Sequence, residues 1–333
     1  MANLDSFQCY LEEIVGLEEE MENGSVPMGY PMNHHRTGDL APFHTALSKS
    51  YVLNNCGDPF STKPASWTHQ TFHQERVLLE YIMKRWGTNP DEAWGYITTG
   101  GTEGVTKGIA AGYGRLKGGG HKKILVVQSA AAHYSVPKAI SYLDGRSPPA
   151  VLPVDQWNRI DISAFRTLIE TSKNFFGYDA VLVVACLGTT FFGGVDDVAE
   201  MTAILGEYGY FRGKNAYIHL DAALHGGFWP DYAELNSGIL SLDIGRVIDS
   251  VNISGHKWWG GFVAGIVLVS TQSAVEEELG NLIEYVGMVD KFVSGSRSGA
   301  VPVLWYARIK QFDWKAELTR CIENARYAQS KLL

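Results

Sequence analysis

A chain of 333 residues is long enough to bury one large α/β unit with material left for a smaller part. With 45% hydrophobic and 19% charged residues the balance is globular, and a net charge of −8 without a basic stripe argues against nucleic acid as a partner. Four scattered cysteines (Cys9, Cys56, Cys186, Cys321) form no CxxC pair and fit a reducing cytoplasm better than a disulfide framework or a zinc site. No apolar run reaches ~18 residues, so no membrane span is expected.

In chain order, residues 1–22 are acidic and amphipathic, unlike a signal or transit peptide, and 11–21 read as a surface helix ending near Asn23-Gly24. The irregular stretch 27–35 holds Tyr30, His34 and His35. Neighbouring histidines on a loop rarely converge on one ion, and no carboxylate or cysteine cluster joins them, so they suit a pocket wall and no metal is expected. A turn-rich loop, Asn54-Asn55-Cys56-Gly57-Asp58, precedes a helix at 71–86 with Phe72, Val77, Leu79, Ile82 and Met83 as its buried candidates. From Ala93 strands and helices alternate. The periodicity predicts strands at 94–99, 123–128, 150–154, 179–185, 216–220, 250–254 and 263–269, and helices at 105–116, 135–142, 162–173 and 198–208. That alternation implies an α/β fold with a seven-stranded, mostly parallel sheet, covered on both faces and binding ligands at the carboxyl ends of its strands. Helices are expected again at 302–312 and 313–333.

Several residues at those strand ends suggest chemistry. Lys257, in Ser254-Gly255-His256-Lys257, sits in a turn between two apolar runs, where an ammonium must lose its proton or find a counter-charge. Such an amine forms Schiff bases with carbonyls; the plainer alternative is a strand-end lysine with its charge in water. Gly100-Gly101-Thr102-Glu103-Gly104 carries a strand into a helix whose first N–H groups are free to hold a phosphate. No GK[ST] follows, and Gly112-x-Gly114 lies within a helix, so neither a Walker A loop nor a Rossmann fingerprint is present. His133 offers a flat imidazole for stacking, or merely satisfies local hydrogen bonds. Asp221 closes the strand 216–220 before the small pair Ala222-Ala223, either as the partner of a cationic ring nitrogen or as a helix N-cap. Gly188-Thr189-Thr190 adds a small polar turn at the same edge. A phosphate turn, a stacking ring, a carboxylate and a lysine together describe a receptor for pyridoxal 5′-phosphate.

These segments, with Ala132-His133-Tyr134-Ser135, His219-Leu220-Asp221-Ala222-Ala223-Leu224, Asn54-Asn55-Cys56-Gly57-Asp58 and Ser294-Gly295-Ser296-Arg297-Ser298-Gly299, occur in family order. From Met28 onward the chain resembles the group II pyridoxal-phosphate decarboxylases, in the histidine decarboxylase/serine decarboxylase branch. The resemblance implies an aspartate-aminotransferase-like (fold type I) large domain and a homodimer with shared active sites acting on an amino acid. It implies that Lys257 forms the Schiff base, that Asp221 pairs with the ring nitrogen and that His133 stacks on the ring. Gly101 and Thr102 would hold the phosphate with help from Ser254 and His256, and Thr190 and Ala223 would line the ring. Histidine is the first expected substrate and serine the second. Another pyridoxal-phosphate reaction (a lyase, an aldolase or an aminotransferase) or a cofactor-binding relative without turnover is the alternative. The chain departs from the family at Val105, where Asn is usual, in the bulky run Trp258-Trp259-Gly260-Gly261-Phe262-Val263-Ala264, and at His225-Gly226-Gly227. The expected organisation is an N-terminal segment at 1–60, a cofactor-binding domain at 61–300, and at 301–333 the start of a small domain that is shortened or missing. The Arg297 loop is expected to cross to the partner's site, with the Trp258 region and the 11–21 helix adding interface burial.

Overall fold

The computed structural model describes residues 41–49, 52–61, 69–143, 148–236, 242–276, 282–283, 288–289 and 291–332. All lie in one unit spanning 33–333. The helix expected at 11–21 and the residues Tyr30, His34 and His35 fall outside the described residues.

All seven expected strands form, as β1 (Trp94–Thr98), β2 (Ile124–Ser129), β3 (Ala150–Leu152), β4 (Ala180–Cys186), β5 (Ala216–Asp221), β6 (Ser250–Ile253) and β7 (Gly265–Val269). Every residue of β1, β2, β4, β5, β6 and β7 is buried, as their continuous apolar or β-branched character requires of strands covered on both faces. They join in the order β1-β7-β6-β5-β4-β2-β3. The pairings among β2 to β6 are parallel, whereas β7 runs antiparallel to both β6 and β1. The reversal has a simple cause. A parallel return needs a crossover of a dozen or more residues, and the link 254–264 is too short to provide one. It closes instead as a single helical turn, 255–258, at the end of β6. Because β7 reverses twice, β1 points the same way as β6, and the carboxyl ends of β1, β2, β4, β5 and β6 share one edge.

The helices cover this sheet, beginning with α1 (Ala41–Ser48), α2 (Phe72–Arg85) and α3 (Gly101–Gly118). Helix α3 starts a full turn earlier than its apolar periodicity predicts. Its third residue, Glu103, reaches back to accept the Thr99 N–H and hydroxyl, both at 2.7 Å, and also accepts the Tyr96 hydroxyl at 3.0 Å. This backward bond closes the glycine turn as a capping box does. Helices α4 (Ser135–Ser141), α5 (Ile162–Asn174) and α6 (Val198–Glu207) match expectation, and Asp161 and Asp197 cap the last two through their side chains. Helix α7 (Trp229–Leu235) was not legible, because Gly226-Gly227 and Pro230 read as breakers; the proline sits in the first turn, where its missing N–H costs nothing. The helical turn 255–258 is α8, a four-residue helix α9 (Ser273–Glu276) follows β7, and α10 (Ala300–Gln311) and α11 (Trp314–Leu332) end the chain.

One expectation is corrected here. Arg297 does not cross to another subunit: it is buried within its own chain and pairs with Glu75 of α2, itself fully buried. It donates further to the carbonyls of Gly57 at 2.7 Å and Ile97 at 3.2 Å, and lies over the rings of Tyr96 and Phe292. Asn55 donates to the other Glu75 oxygen at 2.7 Å. The two turn motifs at 54–58 and 294–299, far apart in sequence, thus meet at one buried ion pair. In the Trp258-Trp259 run, Trp259 packs edge-on against Trp305 of α10 and Trp258 tilted against Trp314 of α11. Arg297→Ala should lower unfolding stability in urea by about 3–5 kcal/mol, because it strands the Glu75 charge. The paired replacement Arg297→Met with Glu75→Leu should recover much of that loss; equal stability of the single variant and the parent would refute the role.

Candidate active site

Strands β1 to β6 all end at the carboxyl edge of the sheet, and three of the sequence-selected segments touch there. A Cβ placed on Gly101, at the start of α3, would stand 2.4 Å from Ser254 Oγ and 3.4 Å from the Ala223 methyl. Gly101 thus meets two segments that lie more than a hundred residues further along the chain, an approach so close that it is possible only because residue 101 has no side chain. The first N–H groups of α3 have no intrahelical partners at this edge, as at the start of any helix, and suit an anion.

At the same edge, Asp221 is 6% exposed. Its Oδ1 accepts from Asn252 Nδ2 at 3.0 Å and from the Ala223 N–H at 3.2 Å, while Oδ2 has no partner among the described residues. The nearest following helix, α7, begins only at Trp229, so Asp221 is not a helix N-cap; it caps the short turn into Ala223. Lys257 lies half-buried on α8. Burial pulls its pKa below the ordinary lysine value, and the negative charge of Asp221 partly offsets that. His133 follows β2 and is likewise lowered by burial, with Asp221 acting against the shift and Lys257 with it. Its Nδ1 takes the Ser135 N–H at 3.3 Å and lies 2.8 Å from Ser135 Oγ, and its ring sits 4.2 Å from the Tyr134 ring. His133, Asp221 and Lys257 thus share one electrostatic neighbourhood. His256 Nδ1 donates to the Ala264 carbonyl at 2.8 Å, which ties the lysine turn to the start of β7.

Two expected ring contacts fare differently. Ala223 stands against Gly101, whereas Thr190 is exposed on its loop and the preceding Thr189 is the buried one, accepting the Gly194 N–H at 2.8 Å. Thr102 is half-buried in the first turn of α3.

Residues the sequence reading did not assign complete the site. His225 packs against Gly188 and Phe228, and burial together with the Lys257 charge pushes its pKa down to about 4. His219 and Asn252 line the floor beneath Asp221. Strand alternation could have flagged them, since both carry polar side chains inside otherwise apolar buried strands.

The description "Pyridoxal-dependent decarboxylase conserved domain" matches residues 117–332. The chain belongs to this decarboxylase family. It is 32% identical to a histidine decarboxylase of Solanum lycopersicum, over 95% of this chain and 72% of the relative. A match to serine decarboxylase 2 of Oryza sativa subsp. japonica has 31% identity over 91% of this chain and 60% of the relative. Among solved structures, L-methionine decarboxylase from Streptomyces sp. 590 superposes with a TM-score of 0.78 at 22% identity, covering 97% of this chain and 79% of that one. The decarboxylase has the fold type I architecture, and pyridoxal 5′-phosphate is its cofactor. The residues fit that group: a helix start with free N–H groups at Gly101 beside the Ser254 hydroxyl, a carboxylate oxygen without a partner among the described residues, and a half-buried lysine together match a phosphate, a ring nitrogen and an aldehyde. Gly101→Ala is expected to raise the Kd for pyridoxal phosphate about tenfold, by roughly 1.4 kcal/mol, because its methyl would stand 2.4 Å from Ser254 Oγ and push the helix start and that hydroxyl apart. Adding Ser254→Gly should restore part of the affinity; equilibrium dialysis giving the parent Kd for Gly101→Ala would reject this phosphate site.

Proposed function

We propose that this protein decarboxylates an L-amino acid, histidine first and serine second, to the amine and carbon dioxide. The observation that carries the reading is the meeting of Gly101, Ser254 and Ala223 beside the Asp221 and Lys257 pair. When bound, pyridoxal phosphate supplies a sink for the electron pair left on the substrate's Cα. In this reading the α3 N-terminus at Gly101 and Thr102, with Ser254 and His256, holds the phosphate. Asp221 keeps a proton on the ring nitrogen through Oδ2, His133 lies against one ring face, and Ala223 and Thr190 border the ring. Lys257 is the amine that bonds the aldehyde, and its lowered pKa leaves more of it as the free amine than an exposed lysine has at the same pH.

Homodimerisation with shared sites belongs to the same proposal. Tyr134, Phe191 and Phe192 stand 67%, 91% and 77% exposed on loops from the site edge, an arrangement that suits cover by a second subunit. Cys56, Cys186 and Cys321 form no disulfide among the described residues, which suits the proposed cytoplasmic setting. In the proposed organisation 61–300 form the cofactor domain and 301–333 begin a small domain.

Borohydride reduction in the presence of pyridoxal phosphate should label Lys257. Because its pKa is shifted down, selectivity over surface lysines should be greatest near neutral pH and fall as pH approaches their ordinary range; a label elsewhere would reject the assignment. With histidine as substrate, carbon dioxide should be released without 2-oxo acid. Asp221→Asn should keep the cofactor but lose about a hundredfold in kcat, roughly 3 kcal/mol of transition-state stabilisation. Accumulation of 2-oxo acid, or a rate within about twofold of the parent, would count against the reading.

A further inference from the structure

Below Asp221 lies a chain of buried polar groups that the reaction as described does not use. Strand register pairs His219 with Ser250 and Asp221 with Asn252 across β5 and β6, and alternation puts all four side chains on the face covered by α3. His219, Ser250 and Asn252 are fully buried. His219 Nδ1 lies 2.8 Å from Ser250 Oγ, and its Nε2 lies 2.9 Å from Asn252 Oδ1. Asn252 Nδ2 then donates to Asp221 Oδ1 at 3.0 Å.

Only one polarity satisfies this chain. An amide nitrogen donates and cannot accept, so Nδ2 faces the carboxylate and Oδ1 faces the imidazole. The imidazole must then carry its proton on Nε2, and Nδ1 accepts from the Ser250 hydroxyl. Burial keeps the ring neutral, with a pKa pushed down to about 4, which leaves it a single N–H to give. The helix above is carved to admit these groups: a Cβ on Gly108 would stand 2.1 Å from the His219 ring, and one on Gly104 would stand 2.8 Å from the Asn252 Cβ. Burying an imidazole and an amide at the centre of an apolar sheet is costly unless every partner is met, and here each is met in series.

We propose that His219 and Asn252 are positioning residues for the reaction. The imidazole N–H locks the Asn252 amide in one orientation, and the locked amide holds the Asp221 carboxylate with Oδ2 open to the cofactor's ring nitrogen. The proposal rests on the assignment of Asp221 made above. Without the imidazole N–H, the amide is free to turn over and set its carbonyl oxygen against the carboxylate. Two acceptors then face each other, and Asp221 leaves its aim.

The test uses the loaded enzyme and pyridoxal phosphate isotopically labelled at the ring nitrogen, whose protonation is read by NMR. His219→Phe keeps the ring volume but removes both nitrogens. It should lose the ring-nitrogen proton and about tenfold in kcat, with KM within about twofold of the parent. His219→Gln, which can donate to Asn252 and accept from Ser250, should retain both. A folded His219→Phe enzyme with a protonated ring nitrogen and parental kcat would overturn the proposal, as would failure of His219→Gln to behave better than His219→Phe. If His219→Phe does not fold, Asn252→Ala carries the same comparison, since it leaves a void and creates no clash; a protonated ring nitrogen there overturns the proposal equally. Asp221→Asn serves as the reference. Ring-nitrogen protonation unchanged in Asp221→Asn would remove the Asp221 assignment itself, a failure distinct from one seen only at His219 or Asn252.

Discussion

The close approach of α3 to the sheet is the constraint on which the site depends. Gly101, Gly104, Gly108 and Gly112 recur at helical spacing and form one bare stripe. A Cβ on each would strike, in turn, Ser254, Asn252, His219 and Tyr217 of the strands and turn below. The stripe lets the helix axis sit closer than side chains would allow, so its N-terminus ends directly over the carboxyl ends of β5 and β6. Moved outward by the thickness of a methyl, the same helix would no longer bring its free N–H groups to Ser254, and the polar groups beneath it would lose their roof. The glycines cost helix propensity, roughly 1 kcal/mol each relative to alanine, and the packing they permit offsets that cost.

A second constraint works through connection length. The link between β6 and β7 is too short for a crossover, so it turns back at once and presents Lys257 on a single helical turn at the sheet edge. The aromatic residues that follow the lysine anchor that turn from behind. Trp305 donates to the Gly260 carbonyl at 2.9 Å and its ring occupies the space that Gly255 leaves bare. The run that departs from the family pattern thereby supports the turn that carries the lysine.

The buried pair of Arg297 and Glu75 does for the far segments what the glycine stripe does for the centre. Glu75 accepts from Arg297, from the Asn55 amide and from the Ile97 backbone N–H at 3.0 Å, so one carboxylate joins a loop, a helix and the first strand. Removed from water, such a pair adds little net stability but strongly penalises any arrangement in which either partner is left alone. It therefore fixes where β1 and its following glycine turn sit relative to the rest of the sheet.

The sequence alone determined the alternation of strands and helices, because continuous apolar runs and 3.6-residue periodicity are local properties that each segment carries by itself. It also marked the strand-end residues Gly101, His133, Asp221 and Lys257 as candidates, because residue type and position after a strand are likewise local. Only the tertiary structure set aside the helix N-cap reading of Asp221, which is followed by no helix until Trp229 and is held instead by Asn252, thirty-one residues away and adjacent only through strand register. The fate of Arg297 was equally hidden, since its partner lies 222 residues earlier and a charged loop residue gives no local sign of burial. The start of α3 and the orientation of the His219 ring fall in the same class. A carboxylate reaching backward and an amide with one permitted polarity are settled by geometry between segments, which no single stretch of sequence contains.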